Sequence, residues 1–117
     1  MVPITLSDDE FDAIVDDAFD ALPDALLEHV DNLVFVVEDE PEDGSDTLGV
    51  YEGQALTERD SSYFGQLPDR IVLFKGPLTR MCNSLDELAD EVTITLLHEL
   101  GHYHGIEEDR LHELGWG

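Results

Sequence analysis

The stretch from Ser84 to His102 restricts the fold more than any other part of the chain. Ser84-Leu85-Asp86-Glu87 has the Ser-x-x-Glu form of a capping box, which satisfies the open N–H groups at a helix start. Leu88, Ala89, Val92, Ile94, Leu96, Leu97 and Leu100 follow with no Gly or Pro before Gly101, a run too long for a typical strand. Val92-Thr93-Ile94-Thr95 lowers helix propensity and makes a strand the competing reading of that segment. The cap and the length favour a helix that tertiary packing must hold. A chain of 117 residues has room for one core, so one domain over residues 1–117 is expected, built around this buried helix.

The remaining elements are read from spacing and breakers. Ser7-Asp8-Asp9-Glu10 is another capping box, and Phe11, Ile14, Val15, Ala18, Phe19 and Leu22 follow at helical intervals, predicting an amphipathic helix from Asp8 to Leu22. Pro23 suits the first turn of a short second helix through Ala25, Leu26, Leu27 and Val30, stopped at Asp31-Asn32. Leu33 to Val37 reads as a buried strand, Leu48 to Gly53 as a second, and Arg70 to Lys75 as a third that ends at Gly76-Pro77. The position of this third strand just before the long helix predicts a sheet edge beside a cleft. Glu38 to Asp46 combines like charges with Pro and Gly and predicts a mobile surface loop; Arg59 to Asp69 reads as a further loop.

Charge narrows the partners. With 29 Asp plus Glu against 5 Lys plus Arg, the net charge of -24 repels phosphate backbones and anionic lipid, so neither nucleic acid nor a membrane surface is an expected partner. A solvated surface accounts for this acidity; binding of a basic partner or mimicry of nucleic acid is the sharper alternative. Cys82, the single cysteine, excludes an intrachain disulfide and a cysteine-only zinc cage, and reads as buried apolar filler. The first ten residues lack the basic segment and apolar run of a secretory signal, and Leu33 to Val37 is far too short to span a bilayer, so a cytoplasmic location is expected.

The chemistry gathers at the end of the long helix, in His98-Glu99-Leu100-Gly101-His102. Residues four apart share a helix face, so both imidazoles can point at one Zn2+ through bonds of about 2.0–2.1 Å. Glu99 can reach a metal-activated water and is the candidate general base. A working site needs a third ligand and an open position. Gly105 can take the positive φ that ends a helix and turns the chain back, which makes Glu108 the favoured third ligand, with Asp109 and Glu107 as carboxylate alternatives. His104 and His112 read as surface histidines. Tyr103 reads as packing, with an oxyanion donor as its sharper alternative. Leu111, Leu114 and Trp116 suggest a last helical turn packed on the core.

The run from His98 to Trp116 resembles the extended HExxHxxGxxD signature and Leu-Gly-Trp ending of the small bacterial zincin-like metallopeptidases. Val36 to Pro41, Leu48 to Gly53 and Leu67 to Ile71 are similar to that family in the same order. The resemblance implies an α+β minimal zincin-like fold, a small sheet packed with an N-terminal helix and a long C-terminal metal-binding helix. It also implies His98 and His102 as zinc ligands, Glu99 as general base and an acidic third ligand at Glu108, where the family usually has Asp. The motif is similar to that of metzincins as well, although Met81 precedes it and no methionine follows Gly105. The expected activity is zinc-dependent hydrolysis of a peptide or protein substrate. The rival expectation is a metal-bound interaction module without turnover.

Overall fold

The computed structural model describes residues 6–28, 30, 32–53 and 68–115. The loop expected from Arg59 lies outside these residues up to Leu67, and so does Trp116. Helix α1 (Asp8–Asp20) opens on the capping box as expected: Glu10 N–H donates to Ser7 Oγ and Ser7 N–H to Glu10 Oε1, both at 3.1 Å. Pro23 caps the short α2 (Asp24–Leu27), and Asn32, in the left-handed region at φ 56°, turns the chain into strand β1 (Leu33–Glu38). Strands β2 (Gly49–Glu52) and β3 (Asp69–Phe74) complete a three-stranded sheet in the order β1-β3-β2. β1 runs parallel to β3, from Leu33 opposite Asp69 to Glu38 opposite Phe74. β2 is antiparallel to β3, with Gly49 opposite Leu73 and Glu52 opposite Arg70.

The third strand is therefore central rather than an edge. Ile71, Val72, Leu73 and Phe74 are all buried, and a strand covered on both faces reads as a continuous apolar run, which chain order alone does not reveal. The edge that faces the long helix is β2. Lys75 also leaves the strand and starts helix α3 (Lys75–Arg80). Gly76-Pro77, read as a stop, is in fact a helix start, because a proline in the first turn forfeits only an N–H that has no intrahelical partner. The acidic loop after β1 is not free either. Arg80 holds Glu40 at 2.8 Å and Asp46 at 3.1 Å, and Gly76 N–H donates to Asp39 O at 2.8 Å.

Helix α4 (Leu85–Tyr103) settles the competition between helix and strand in favour of helix. Ser84 Oγ caps Glu87 N–H at 3.1 Å, but the Glu87 carboxylate reaches Asn83 N–H at 3.4 Å, so this box is closed one residue early. Thr93 and Thr95 donate to the carbonyls of Ala89 and Glu91, which hides their hydroxyls inside the helix. Leu88, Val92, Leu96 and Leu100 form one buried stripe against Phe11, Ala18 and Leu22 of the first helical segment, Ile71 and Leu73 of β3, and Leu78. Phe19 and Phe35 join α1 to β1 edge-to-face at 4.8 Å. Gly105 and Ile106 lead into helix α5 (Glu108–Glu113), where Leu111 is buried but Leu114, at 36% exposure, does not share the core face expected of it. No helix among the described residues is long and apolar enough to cross a membrane.

Cys82 lies in the core at 3% exposure, and burial, with Glu87 and Glu91 nearby, pushes its thiol up to about 11. Its neutral form belongs to the folded state, so stability is unaffected below the unfolded thiol's value and falls as pH rises from about 9 towards about 11. A disulfide reagent at pH 8 is expected to leave native Cys82 unmodified for as long as the fold persists and to react at once in guanidinium. Rapid labelling of the native protein would contradict this burial.

Candidate metal centre

Helix α4 places His98 and His102 one turn apart with their Nε2 atoms 3.1 Å from each other and the rings nearly perpendicular, at 81°. Two ring nitrogens aimed at the same point need a proton or a cation between them. The helix ends there in a paired C-terminal closure: Gly105 N–H donates to His102 O at 2.9 Å and Ile106 N–H to Gly101 O at 2.8 Å, with Gly105 at φ 82°. This turn sends the chain back as α5 across the same end of α4. A Cβ at Gly101 would overlap Leu111 Cδ2, so the glycine lets α5 seat its one buried leucine directly on α4.

That packing delivers Glu108, the first residue of α5. Its Oε1 lies 3.0 Å from His98 Nε2 and 2.8 Å from His102 Nε2. Desolvation pushes the Glu108 carboxyl up, but the charges of His98 and His102 and their hydrogen bonds outweigh it and hold the group below its ordinary value. Asp109 makes no ion pair with either imidazole among the described residues, and Glu107 is the exposed N-cap of α5.

Glu99 is buried at the seam between α4 and β2, at 7% exposure, beside the two imidazoles. Its ligand atom lies within 4.8 Å of those of His98 and His102, and the three together form a possible metal site. Burial drives its carboxyl above the usual range, opposed by the charges of His98 and His102, reinforced by Glu108 and opposed again by the Tyr51 N–H that donates to it. Tyr51 is a contributor that motif reading missed. A backbone donor carries no side-chain signal, and only the placement of β2 beside α4 reveals it.

The other residues weighed from sequence fall outside the cluster. Tyr103 is fully buried, edge-to-face with Tyr51 at 5.9 Å, which is the packing role. His104 is not a surface histidine: half-buried, its Nε2 donates to Leu26 O at 2.7 Å and ties the end of α4 to α2. His112 is exposed, with Nε2 3.7 Å from Glu108 Oε2. A cleft of about 260 Å³ opens beside His98 and Glu99, lined by Leu48, Gly49, Glu91, Ile94 and Thr95. It lies at the start of β2, and none of Ile71 to Phe74 lines it. Hollows of about 380 and 580 Å³ elsewhere have no histidine in their walls, so size does not locate the chemistry here.

A family model described as zincin-like metallopeptidase matches residues 30–116, and the chain belongs to that family. Among solved structures it is similar to a conserved hypothetical protein from Thermo thermophilus, with 25% identity and a TM-score of 0.58 over 83% of this chain and 92% of the other. No curated protein matches the chain.

The packing of α5 generates a stability prediction. Leu111→Ala is expected to cost about 2–5 kcal/mol in urea unfolding, because a fully buried leucine leaves a cavity. Leu114→Ala, at an exposed position, should stay within about 0.5 kcal/mol of the parent. Equal costs would contradict the seating of α5 through Leu111.

Proposed function

We propose that this protein is a zinc-dependent metallopeptidase in which His98, His102 and Glu108 hold the metal and Glu99 is the general base. The observation that carries the proposal is the approach of Glu108 Oε1 to both imidazole nitrogens at 3.0 and 2.8 Å. Two nitrogens and one carboxylate oxygen, with a position left open, are the donor set of a catalytic zinc site. Their separations of 2.8–3.1 Å compare with about 3.3 Å expected between ligands in a tetrahedral zinc site. Glu99, whose ligand atom lies within 4.8 Å of those of both histidines, is assigned to the water rather than to the metal.

Bound zinc supplies acidification of a water and polarisation of the scissile carbonyl. The chain supplies the proton handling. The Glu99 carboxylate takes a proton from the water as its oxygen attacks the carbonyl carbon, then returns it to the amine nitrogen as the C–N bond breaks. Burial makes Glu99 a stronger base than a solvated carboxylate, and the Tyr51 N–H keeps it oriented. A peptide substrate suits the setting because the chain belongs to the zincin-like metallopeptidase family and a cleft of about 260 Å³ opens directly beside His98 and Glu99.

Purified protein loaded with Zn2+ is expected to cleave members of a peptide library, to lose activity on chelation and to regain it with Zn2+. Glu99→Gln should lower kcat by roughly a hundredfold or more while keeping one bound zinc. Glu108→Ala should weaken zinc binding together with activity. Undiminished turnover in Glu99→Gln would remove the assigned base. Tight zinc binding with no cleavage of any peptide would favour a metal-bound interaction module.

A further inference from the structure

We propose that the cleft between α4 and β2 selects a lysine or arginine side chain next to the scissile bond, with Glu91 as the residue that reads its charge. This rests on the peptidase reading of the adjoining site. Glu91, Thr95, His98 and His102 stand at i, i+4, i+7 and i+11 along α4, one stripe that leads from the carboxylate to the imidazoles. Seven residues of helix separate Glu91 from His98 by about 10 Å, a span suited to an extended basic side chain whose backbone lies at the metal end.

The walls between the two ends fit the stem of such a side chain. Leu48 and Ile94 are aliphatic, and Thr95 turns its hydroxyl away, donating to Glu91 O at 2.8 Å. Gly49 closes the floor: a Cβ there would stand 2.8 Å from Thr95 Cγ2 and 3.1 Å from Val72 O, so strand and helix already meet at this point. Glu91 is then the one ionisable group of the lining that lies outside the His98–Glu99 motif.

It also lacks a lysine or arginine counter-ion among the described residues. Arg70 pairs with Glu38 and Glu52, Lys75 with Asp8, Arg80 with Glu40 and Asp46, and Arg110 with Glu113. Each lysine and arginine among the described residues is engaged away from the cleft. A neutral occupant strips water from Glu91 without replacing it, an acidic one is repelled, and only a cationic head compensates the carboxylate.

The test uses the full chain loaded with Zn2+ and peptide pairs that differ only by lysine or norleucine at each position flanking the cleaved bond. The lysine peptide should have a kcat/KM higher by roughly ten- to a hundredfold at one of these positions. The same preference should appear in its affinity for the Glu99→Gln protein, read by fluorescence polarisation. In Glu91→Gln the ratio should collapse to within about threefold, and Glu91→Lys should invert it in favour of a glutamate peptide. A lysine preference that survives Glu91→Gln and fades with salt would arise from the net charge of -24 and would overturn the assignment. Cleavage with no lysine preference overturns the assignment and leaves the peptidase reading intact. Absence of cleavage, with a Glu91-dependent lysine preference still present in binding, removes the peptidase reading and upholds the cleft.

Discussion

Helix α4 has to bury an apolar stripe along its whole length and still present two imidazoles to a shared point at its end. The i, i+4 row Leu88, Val92, Leu96 and Leu100 meets the first demand, each leucine or valine contributing about 1.5–3 kcal/mol by leaving water. The neighbouring row, Glu91, Thr95 and Glu99, runs past the cleft, with Thr95 and Glu99 buried at the seam with β2, and the row after that carries Ile94, His98 and His102. Because the rows share one rigid cylinder, the hydrophobic packing that fixes the roll of α4 also fixes where the imidazoles point. Position and stability are thus one quantity at this helix. A rotation that freed Glu99 from its seam would also withdraw Leu96 and Leu100 from the core.

The site is completed from outside the helix by two kinds of contact. Tyr51 N–H reaches Glu99 from β2, and Glu108 reaches the imidazoles from α5. Tyr51 is far from Glu99 along the chain, whereas Glu108 follows His102 after a single turn at Gly105. Each depends on a packing contact: the close approach of β2 to α4 at Gly49, and the seating of Leu111 on Gly101. Two small residues therefore set the distances that two carboxylates need.

These dependencies explain what could be read from the chain. Helix starts were legible because Ser7 and Ser84 cap through their own side chains, and the end of α4 was legible because Gly105 is the residue that tolerates φ 82°. The pair His98 and His102 needed only helical periodicity. Strand order was not legible, since Ile71-Val72-Leu73-Phe74 declares burial on two faces only once its neighbours are known. Helix α3 was hidden by Gly76-Pro77, which punctuates either a strand end or a helix start. The role of His104 is not legible either, because its acceptor, Leu26 O, lies far away in sequence. Apart from that ambiguous Gly-Pro, what fails to show in the sequence is a contact whose partner is set by tertiary packing.

Glu108 illustrates how such a contact reshapes a motif. The signature that this chain resembles carries Asp at the corresponding place, and an extra methylene would overshoot if α5 entered at the same height. Here the longer side chain spans from an exposed backbone position to both imidazoles through a single oxygen, while Oε2 remains outside, 3.7 Å from His112 one turn along α5. Ordering a glutamate costs more rotamer entropy than ordering an aspartate. Convergence on two imidazoles offsets that cost, and it is also what lowers the carboxyl's proton affinity. The length of residue 108 and the seating depth of α5 are consequently linked. An aspartate at this position would need α5 to sit deeper on α4, and Leu111, already overlapping the space of a Cβ at Gly101, leaves no room for that movement.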